Sequence, residues 1–308
     1  MKAIRLHEPT GADGLVYEEV PDAKPMPCDV LVKVAAVGIT HNELDWPVWT
    51  CRAGHRRSSV IPGHEVSGVV AALGYGTAGF AVGDEVYGLA DQWRDGAAAE
   101  YVAVEARNVA RKPRSVDHVH AAAVPRAGLT AWQALFDHGK LAAGQTVMIH
   151  GAAGAVGSMA VQLARWAGAT VIGTGRERAR SQVLELGADR FIALDASGAD
   201  PLAGAAGQAD VVFDTIGGDV LERSPALLRP GGRLIVIKPD VQPPVRDDIS
   251  TVVFIQESSR PQLAELARLV DEGVLGPQVG PVYSLTEAAQ GYRAKAAGGV
   301  AGRVVLRP

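Results

Sequence analysis

His150-Gly151-Ala152-Ala153-Gly154-Ala155-Val156-Gly157 lies between two stretches of different character. Before it, Thr146-Val147-Met148-Ile149 is a short, mostly β-branched run that predicts a buried strand. After it, Met159, Val161, Leu163, Ala164 and Trp166 mark an apolar helix. Strand, glycine turn and helix together open a dinucleotide-binding βαβ unit. Gly151, Gly154 and Gly157 let the backbone turn sharply and approach a pyrophosphate, whose charge the first helical amides then meet. The spacing is Gly-x-x-Gly-x-x-Gly, with Ala153 where the commoner fingerprint has glycine. Taken alone, the turn also fits an ordinary small-residue bend, and the context decides between the two.

Downstream the context is strand, helix, strand. Strands are predicted at Thr146–His150, Thr170–Gly173, Arg190–Leu194, Asp210–Asp214, Arg233–Ile237 and Thr251–Ile255. Helical patterns lie between most of them, notably Arg178–Leu186 and Val220–Leu228, with a last helix near Pro261–Glu272. This alternation is that of a doubly wound parallel sheet. Upstream the chain reads as β-rich, with Lys2–Leu6, Leu15–Glu19, Val30–Val37, Val66–Leu73 and Ala98–Val104 as short strands, and Phe80–Gly88 as a turn running into a strand. Strands at this spacing suggest a compact barrel. Helical stretches from Val116 and across Thr130–Gly139 lead into the glycine turn. The tail, with strand-like Pro281–Tyr283 and Arg303–Leu306 around a small helix at Thr286–Ala296, is expected to return to the barrel. The domains are therefore set at 1–115, joined by 276–308, and at 116–275.

The 308 residues are enough for two domains, and the net charge of −4 argues against a general nucleic-acid surface. Two cysteines, Cys28 and Cys51, make no disulfide framework and point to a reducing compartment. The chain opens Met1-Lys2-Ala3-Ile4-Arg5 with no apolar signal region, and nowhere does it hold an uninterrupted membrane-length span. A cytoplasmic protein without membrane or nucleic-acid partners is expected.

Six pieces carry a family resemblance in order along nearly the whole chain: Pro62–Val70 (PGHEVSGVV), Gly83–Gly88 (GDEVYG), Ala127–Trp132 (AGLTAW), Gly151–Gly157 (GAAGAVG), Leu186–Ala188 (LGA) and Pro230–Arg233 (PGGR). Each is common alone, and their joint order is the signal. The chain resembles the medium-chain dehydrogenase/reductases, and within them the zinc-independent quinone-oxidoreductase branch. The resemblance implies an α/β fold: a GroES-like β-barrel catalytic domain plus a Rossmann domain, with the active site in the cleft between them. Zinc-dependent members place a cysteine, a histidine and a second cysteine where this chain has Thr40, His64 and Arg126. A neutral hydroxyl and a guanidinium do not replace two thiolates, and the four-cysteine structural zinc lobe is also missing. No metal is expected; a regrouping of His41, Cys51 and His55 around His64 is the remaining metal alternative. His64 and Glu65 also fit plain structural roles. A buried Arg126 needs a partner, for which Glu65 is the natural candidate, or it binds a substrate carbonyl or carboxylate. Some enoyl reductases of the superfamily have a tyrosine proton donor in the barrel loop. From Thr40 to Pro62 this chain has none, offering Trp46 and Trp49 instead.

Cofactor choice is more legible. NAD-binding units place an acid at the end of the second strand to hold the ribose 2′-hydroxyl. Here that strand runs into Thr174-Gly175-Arg176-Glu177-Arg178. Thr174 and Gly175 leave room, and Arg176 and Arg178 offer planar donors to a 2′-phosphate, which points to NADPH. A solvated helix start with charges of both signs, Glu177 included, is the plainer alternative. The resemblance adds Thr130 beside the nicotinamide, Gly217 with Gly218 after the fourth strand, and Ile237 with Lys238 after the fifth. Thr130 bonding its own helix backbone and Gly217-Gly218 as an ordinary turn are the structural alternatives. The expected activity is NADPH-dependent, zinc-independent reduction of a quinone or an α,β-unsaturated carbonyl, with Thr40, His41 and Arg126 as catalytic candidates. A zinc alcohol dehydrogenase with rearranged ligands and a nucleotide-binding protein without turnover are the competing expectations. Thr251–Ile255 is an apolar last strand whose edge must be covered, and the resemblance implies a homodimer across it.

Overall fold

The computed structural model describes residues 1–8, 10–46, 51–52, 55–57, 59–195, 200–238, 241–298 and 300–308, with backbone alone at 51–52 and 55–56. They fall into two compact units, Met1–Arg126 with Ser258–Gly273 and Pro277–Pro308, and Ala127–Glu257 with Val274–Gly276. No helix among the described residues is long and apolar enough to cross a membrane.

In the first unit the short strands form a mostly antiparallel sheet. Its order is Val279–Ser284, Arg303–Arg307, Asp29–Gly38, Glu65–Leu73, Glu85–Leu89 and Val109–Arg111, with Tyr101–Glu105 also paired to Asp29–Gly38. Alternation explains the central strand: Val30, Val32, Val34 and Ala36 are buried while Lys33 between them is exposed, the period-two pattern of a strand with one face on a core. The Lys2–Leu6 and Leu15–Glu19 hairpin is joined to this unit through bridges Ala3 to Ala99 and Leu6 to Val60. The tail enters the same sheet, with Val305 opposite Gly38 and Leu306 opposite Val37.

Two segments that the sequence groups with the second domain pack in this first unit instead. Helix Arg260–Asp271 buries Leu263, Leu266, Leu269 and Val270, and the Oη of fully buried Tyr87 donates to the Leu263 carbonyl at 2.6 Å. Segment 116–126 is drawn in by Ala122, which joins Ala36 and Val305 in a small buried cluster. Neither attachment is readable from local periodicity, because both depend on partners far away in the chain.

The second unit is a six-stranded sheet in the order Arg190–Ala193, Thr170–Gly175, Thr146–His150, Ala209–Asp214, Leu228–Val236 and Ser250–Val253. Every neighbouring pair is parallel. This is the doubly wound order, reversing beside Thr146–His150, where ligands bind at the carboxyl ends of the strands. Helices Ala155–Trp166, Arg180–Glu185 and Asp219–Leu227 form three of the crossovers. The predicted helix over Thr130–Gly139 is instead an α-helix at Pro125–Trp132 that widens into a π-helical stretch at Gln133–His138. There the Gln133 amide clasps the backbone of Glu257 from both sides, at 2.8 and 2.9 Å.

The glycine turn is fixed by close approach. Gly151 has φ +74°, and a side chain there would lie 2.4 Å from Thr215 Oγ1. A Cβ on Gly157 would fall 2.1 Å from the Gly151 carbonyl oxygen, whereas one on Gly154 would stand 3.2 Å from the same atom. Gly157→Ala therefore collides with backbone that has no room to move, and Gly154→Ala meets an adjustable contact. The expected outcome in equilibrium urea unfolding is a loss of about 1–3 kcal/mol for Gly157→Ala and under about 1 kcal/mol for Gly154→Ala.

Candidate active site

In the second unit the residues drawn together lie in one row across the strand ends. His150 stands opposite Thr174 on one side and Asp214 on the other, and all three are fully buried. His150 Nδ1 and Thr174 Oγ1 are 2.8 Å apart. Burial pulls the imidazole down to about 4, against the attraction of Asp214, so His150 is neutral and acts as a dipolar strut. Its Nε2 is buried without a hydrogen-bond partner. The Asp214 carboxylate closes the next turn by accepting from Ile216 N (2.8 Å) and Gly217 N (2.6 Å), an Asx-type arrangement that a short acid at a strand end makes readily.

The glycine turn hangs from this row. Gly151 N and Ala152 N both donate to the Thr174 carbonyl, at 3.1 and 3.0 Å. Helix Ala155–Trp166 then begins at Gly154 with no side-chain cap. The amides of its first turn, at Ala155, Val156 and Gly157, have no intrahelical acceptor and carry the positive end of the helix dipole. Ala152 is fully buried and Ala153 half-buried. Gly217, at φ +78°, lies against Lys238, whose Nζ is 3.6 Å from where a Cβ would be. Ile237 is half-buried and Lys238 exposed, both past the end of the fifth strand. Thr130 is buried on helix Pro125–Trp132. Arg176 and Arg178 stand exposed beyond Gly175, outside the buried row.

In the first unit the cluster forms around Glu65, fully buried at the start of its strand. Its Oε1 takes Arg303 Nη2 at 3.0 Å and the Thr40 hydroxyl at 3.1 Å, and its Oε2 takes the Arg126 backbone N–H at 3.2 Å. The Arg126 guanidinium lies over the Trp46 ring, 4.3 Å from its centroid. Trp46 in turn meets the His64 ring edge-on at 5.8 Å. Burial lowers the guanidinium's pKa, opposed by Glu65 and Glu43. Burial also pushes His64 down to about 3, with Arg126 adding to the shift, and its Nδ1 is buried with no partner.

Of the two partners considered for Arg126, Glu65 is present, but the side chain paired with its carboxylate at 3.0 Å is Arg303. Local sequence held no sign of this, since Arg303 precedes an apolar run at the far end of the chain. Glu43 is the second residue the sequence did not single out. Its buried carboxylate accepts from Thr40 N (3.1 Å) and Gly63 N (2.9 Å), binding the Thr40 loop to the turn before His64. Desolvation pushes it up to about 7 despite those two bonds, with Glu65 adding to the rise. An acid three residues after Thr40 in a loop was the only available hint. His41 is exposed beside buried Glu43. Trp49 lies outside the described residues, as do the side chains of Cys51 and His55.

These residues do not fit zinc. One neutral imidazole, a hydroxyl already bonded to a carboxylate and a guanidinium are not a zinc donor set. Among the described residues no group of three or more His, Cys, Asp or Glu can hold a metal ion. The second unit does fit a dinucleotide: its glycine positions admit no side chain at Gly151 or Gly157, and the helix start above them is uncapped.

Known proteins bear on this arrangement. Residues 26–114 match the alcohol dehydrogenase GroES-like domain, and residues 186–306 match the zinc-binding dehydrogenase family. The quinone oxidoreductase of Rattus norvegicus is 30% identical over 313 residues, covering 95% of this chain and 93% of its own. The 2-methylene-furan-3-one reductase of Solanum lycopersicum is 29% identical, over 94% of this chain and 74% of its own. The structure of the quinone oxidoreductase from Coxiella burnetii superposes with a TM-score of 0.90 at 27% identity, covering 100% of this chain and 99% of that one. With barrel, doubly wound sheet and ordered motifs all in agreement, the chain belongs to the medium-chain dehydrogenase/reductase superfamily, in its quinone-oxidoreductase-like branch, a family of nicotinamide-dependent oxidoreductases.

Proposed function

We propose that this protein is an NADPH-dependent, zinc-independent reductase of a quinone or an α,β-unsaturated carbonyl. The observation that carries this reading is the cluster around Glu65, which gathers Thr40 and Arg126, the residues that the resemblance sets where the family's zinc enzymes have thiolates. Without a Lewis acid, simple alcohol oxidation loses its usual electrophile. Reduction of a conjugated acceptor makes a smaller demand, because the negative charge that develops is spread over the acceptor and hydrogen-bond donors suffice to stabilise it. Of the three candidates, His41 and Arg126 are the donors assigned to that task, while the Thr40 hydroxyl gives its one proton to Glu65 and serves to hold the loop. The relatives named for a quinone and a methylene-furanone support the same acceptor class.

NADPH, when bound, supplies the hydride. The Ala155, Val156 and Gly157 amides at the helix start would hold its pyrophosphate, with Ala153 beside them, while the amides of Gly151, Ala152 and Gly154 are already given to the Thr174 and Gly151 carbonyls and shape the turn. Thr174 and Gly175 leave space at the end of the second strand, Arg176 and Arg178 take the 2′-phosphate, and Thr130, Gly217, Ile237 and Lys238 border the nicotinamide. Glu65 and Glu43 keep the donors in place by fixing the Thr40 loop and the Arg126 backbone. We also assign a homodimer across the edge strand Ser250–Val253, where Val253 and, just beyond, Ile255 expose apolar surface (39% and 64%). Light scattering at micromolar concentration should give a dimer mass, and a monomer mass would remove this assignment.

Purified protein should oxidise NADPH with an ortho-quinone or an enone, at a rate unchanged by chelator, and should act poorly on ethanol-like alcohols. Chelator-sensitive alcohol oxidation as the main activity would overturn the reading in favour of a zinc enzyme. Cofactor binding without turnover on a broad acceptor panel would favour a protein that only binds nucleotide. Arg126→Ala should lower kcat about 10- to 100-fold while the KM for NADPH changes little, the signature of a group that acts on the acceptor.

Cofactor preference is checked separately by fluorescence titration. NADPH should bind roughly tenfold to over a hundredfold more tightly than NADH, equivalent to about 1.5–3 kcal/mol of charge-assisted contacts. The double variant Arg176→Ala, Arg178→Ala should lose most of that difference. Retention of the full preference would reassign the phosphate site.

A further inference from the structure

The acid nearest the end of the second parallel strand is Glu177, between Arg176 and Arg178. A carboxylate at the strand end ordinarily accepts the ribose hydroxyl of NAD and repels a 2′-phosphate, and Glu177 lies two residues beyond that end. Here the carboxylate is already engaged. Arg180 donates from Nε to Oε1 at 2.7 Å and from Nη2 to Oε2 at 2.8 Å, a two-pronged pair in the geometry that suits guanidinium and carboxylate best. The guanidinium is itself fixed from the third strand, where its Nη1 donates to the Phe191 carbonyl at 3.2 Å and its Cζ lies 5.1 Å over the Phe191 ring. The backbone of the acid is tied as well, since Glu177 N donates to Asp195 Oδ1 at 2.8 Å. That contact also occupies the second acid at this edge. Arg176 and Arg178, by contrast, are exposed, and their guanidinium groups make no hydrogen bond or ion pair among the described residues.

We infer that Arg180 is a specificity-determining residue: it holds the Glu177 carboxylate away from a bound ribose, so that this edge presents Arg176 and Arg178 to a 2′-phosphate. The inference rests on the NADPH reading and deepens it. Arg180 acts through Glu177 and is a positioning residue. The Arg180 hydrogen bonds hold the Glu177 carboxyl below its ordinary range, so it stays charged near neutral pH; the pair therefore masks a charge that would otherwise face the phosphate. Both side chains are well exposed, at 43% and 58%, and an exposed pair contributes little to folding. A structural role and a specificity role thus separate cleanly.

The test titrates NADPH and NADH into the full-length wild type, Arg180→Ala, Glu177→Gln and the double variant, with thermal unfolding recorded in parallel. Arg180→Ala should lower the NADPH:NADH affinity ratio about tenfold, by weakening NADPH and strengthening NADH, while leaving the Tm nearly unchanged. Glu177→Gln in the Arg180→Ala background should restore the ratio to within about twofold of wild type, because no charge is then left to mask. A ratio unmoved by Arg180→Ala would overturn the inference. So would a double variant that stays as poor as Arg180→Ala, since Arg180 would then be meeting the phosphate itself. Equal affinities in the wild type would instead defeat the NADPH reading on which all of this stands.

Discussion

A carboxylate removed from water holds the first unit's site together. Glu65 is fully buried, and an ionised carboxylate in that position persists only when its lone pairs are taken up and its charge is matched. Arg303 matches the charge, the Thr40 hydroxyl and the Arg126 amide take up further capacity, and each comes from a different segment. The last strand, the loop after the central strand and the helix that begins at Pro125 are thereby set against the same two oxygen atoms. Glu43 repeats the arrangement on a smaller scale, joining the Thr40 loop to the turn at Gly63. The donors proposed to act on the acceptor are thus positioned by buried acids, with Trp46 stacking under one of them.

The second unit solves a similar problem without paired charges. Its row of His150, Thr174 and Asp214 is a neutral imidazole, a hydroxyl and a carboxylate bonded to backbone amides. The glycine turn then hangs from the Thr174 carbonyl. Its backbone is fixed by polar contacts and runs into a helix start with no side-chain cap, which is what a phosphate-binding surface requires.

Local patterns made much of this legible in the sequence. The doubly wound strands, the glycine turn and the alternation in Asp29–Gly38 all follow from periods of two and of three to four residues, and the structure has them with ends shifted by a few positions. What local patterns could not supply was pairing over distance. Arg303 as the counter-ion of Glu65, Tyr87 as the anchor of helix Arg260–Asp271 and Ala122 packed beside Val305 each join residues that no window contains together. Glu43 was missed for another reason. A lone acid in a polar loop is ordinarily solvated, and only its burial beneath Thr40 and Gly63 gives it a task. The widening of the Thr130–Gly139 helix into a π-helical turn was equally invisible, because the Gln133 clasp on Glu257 that accompanies it depends on the end of the sheet.

The first unit is discontinuous in the chain, and its discontinuity has a consequence for how it is made. Residues 1–126 leave the ribosome before the whole of the parallel sheet, yet the strand carrying Arg303 is made only after that sheet. Until it arrives, Glu65 has no matching cation from that strand, and the edge of Asp29–Gly38 that Arg303–Arg307 will cover stays open. A nascent barrel is therefore held in an incomplete, hydrated form while the sheet that follows it folds as a unit of its own. Closing the barrel then waits for segments on both sides of the parallel sheet, and it buries the carboxylate only when its partner is at hand.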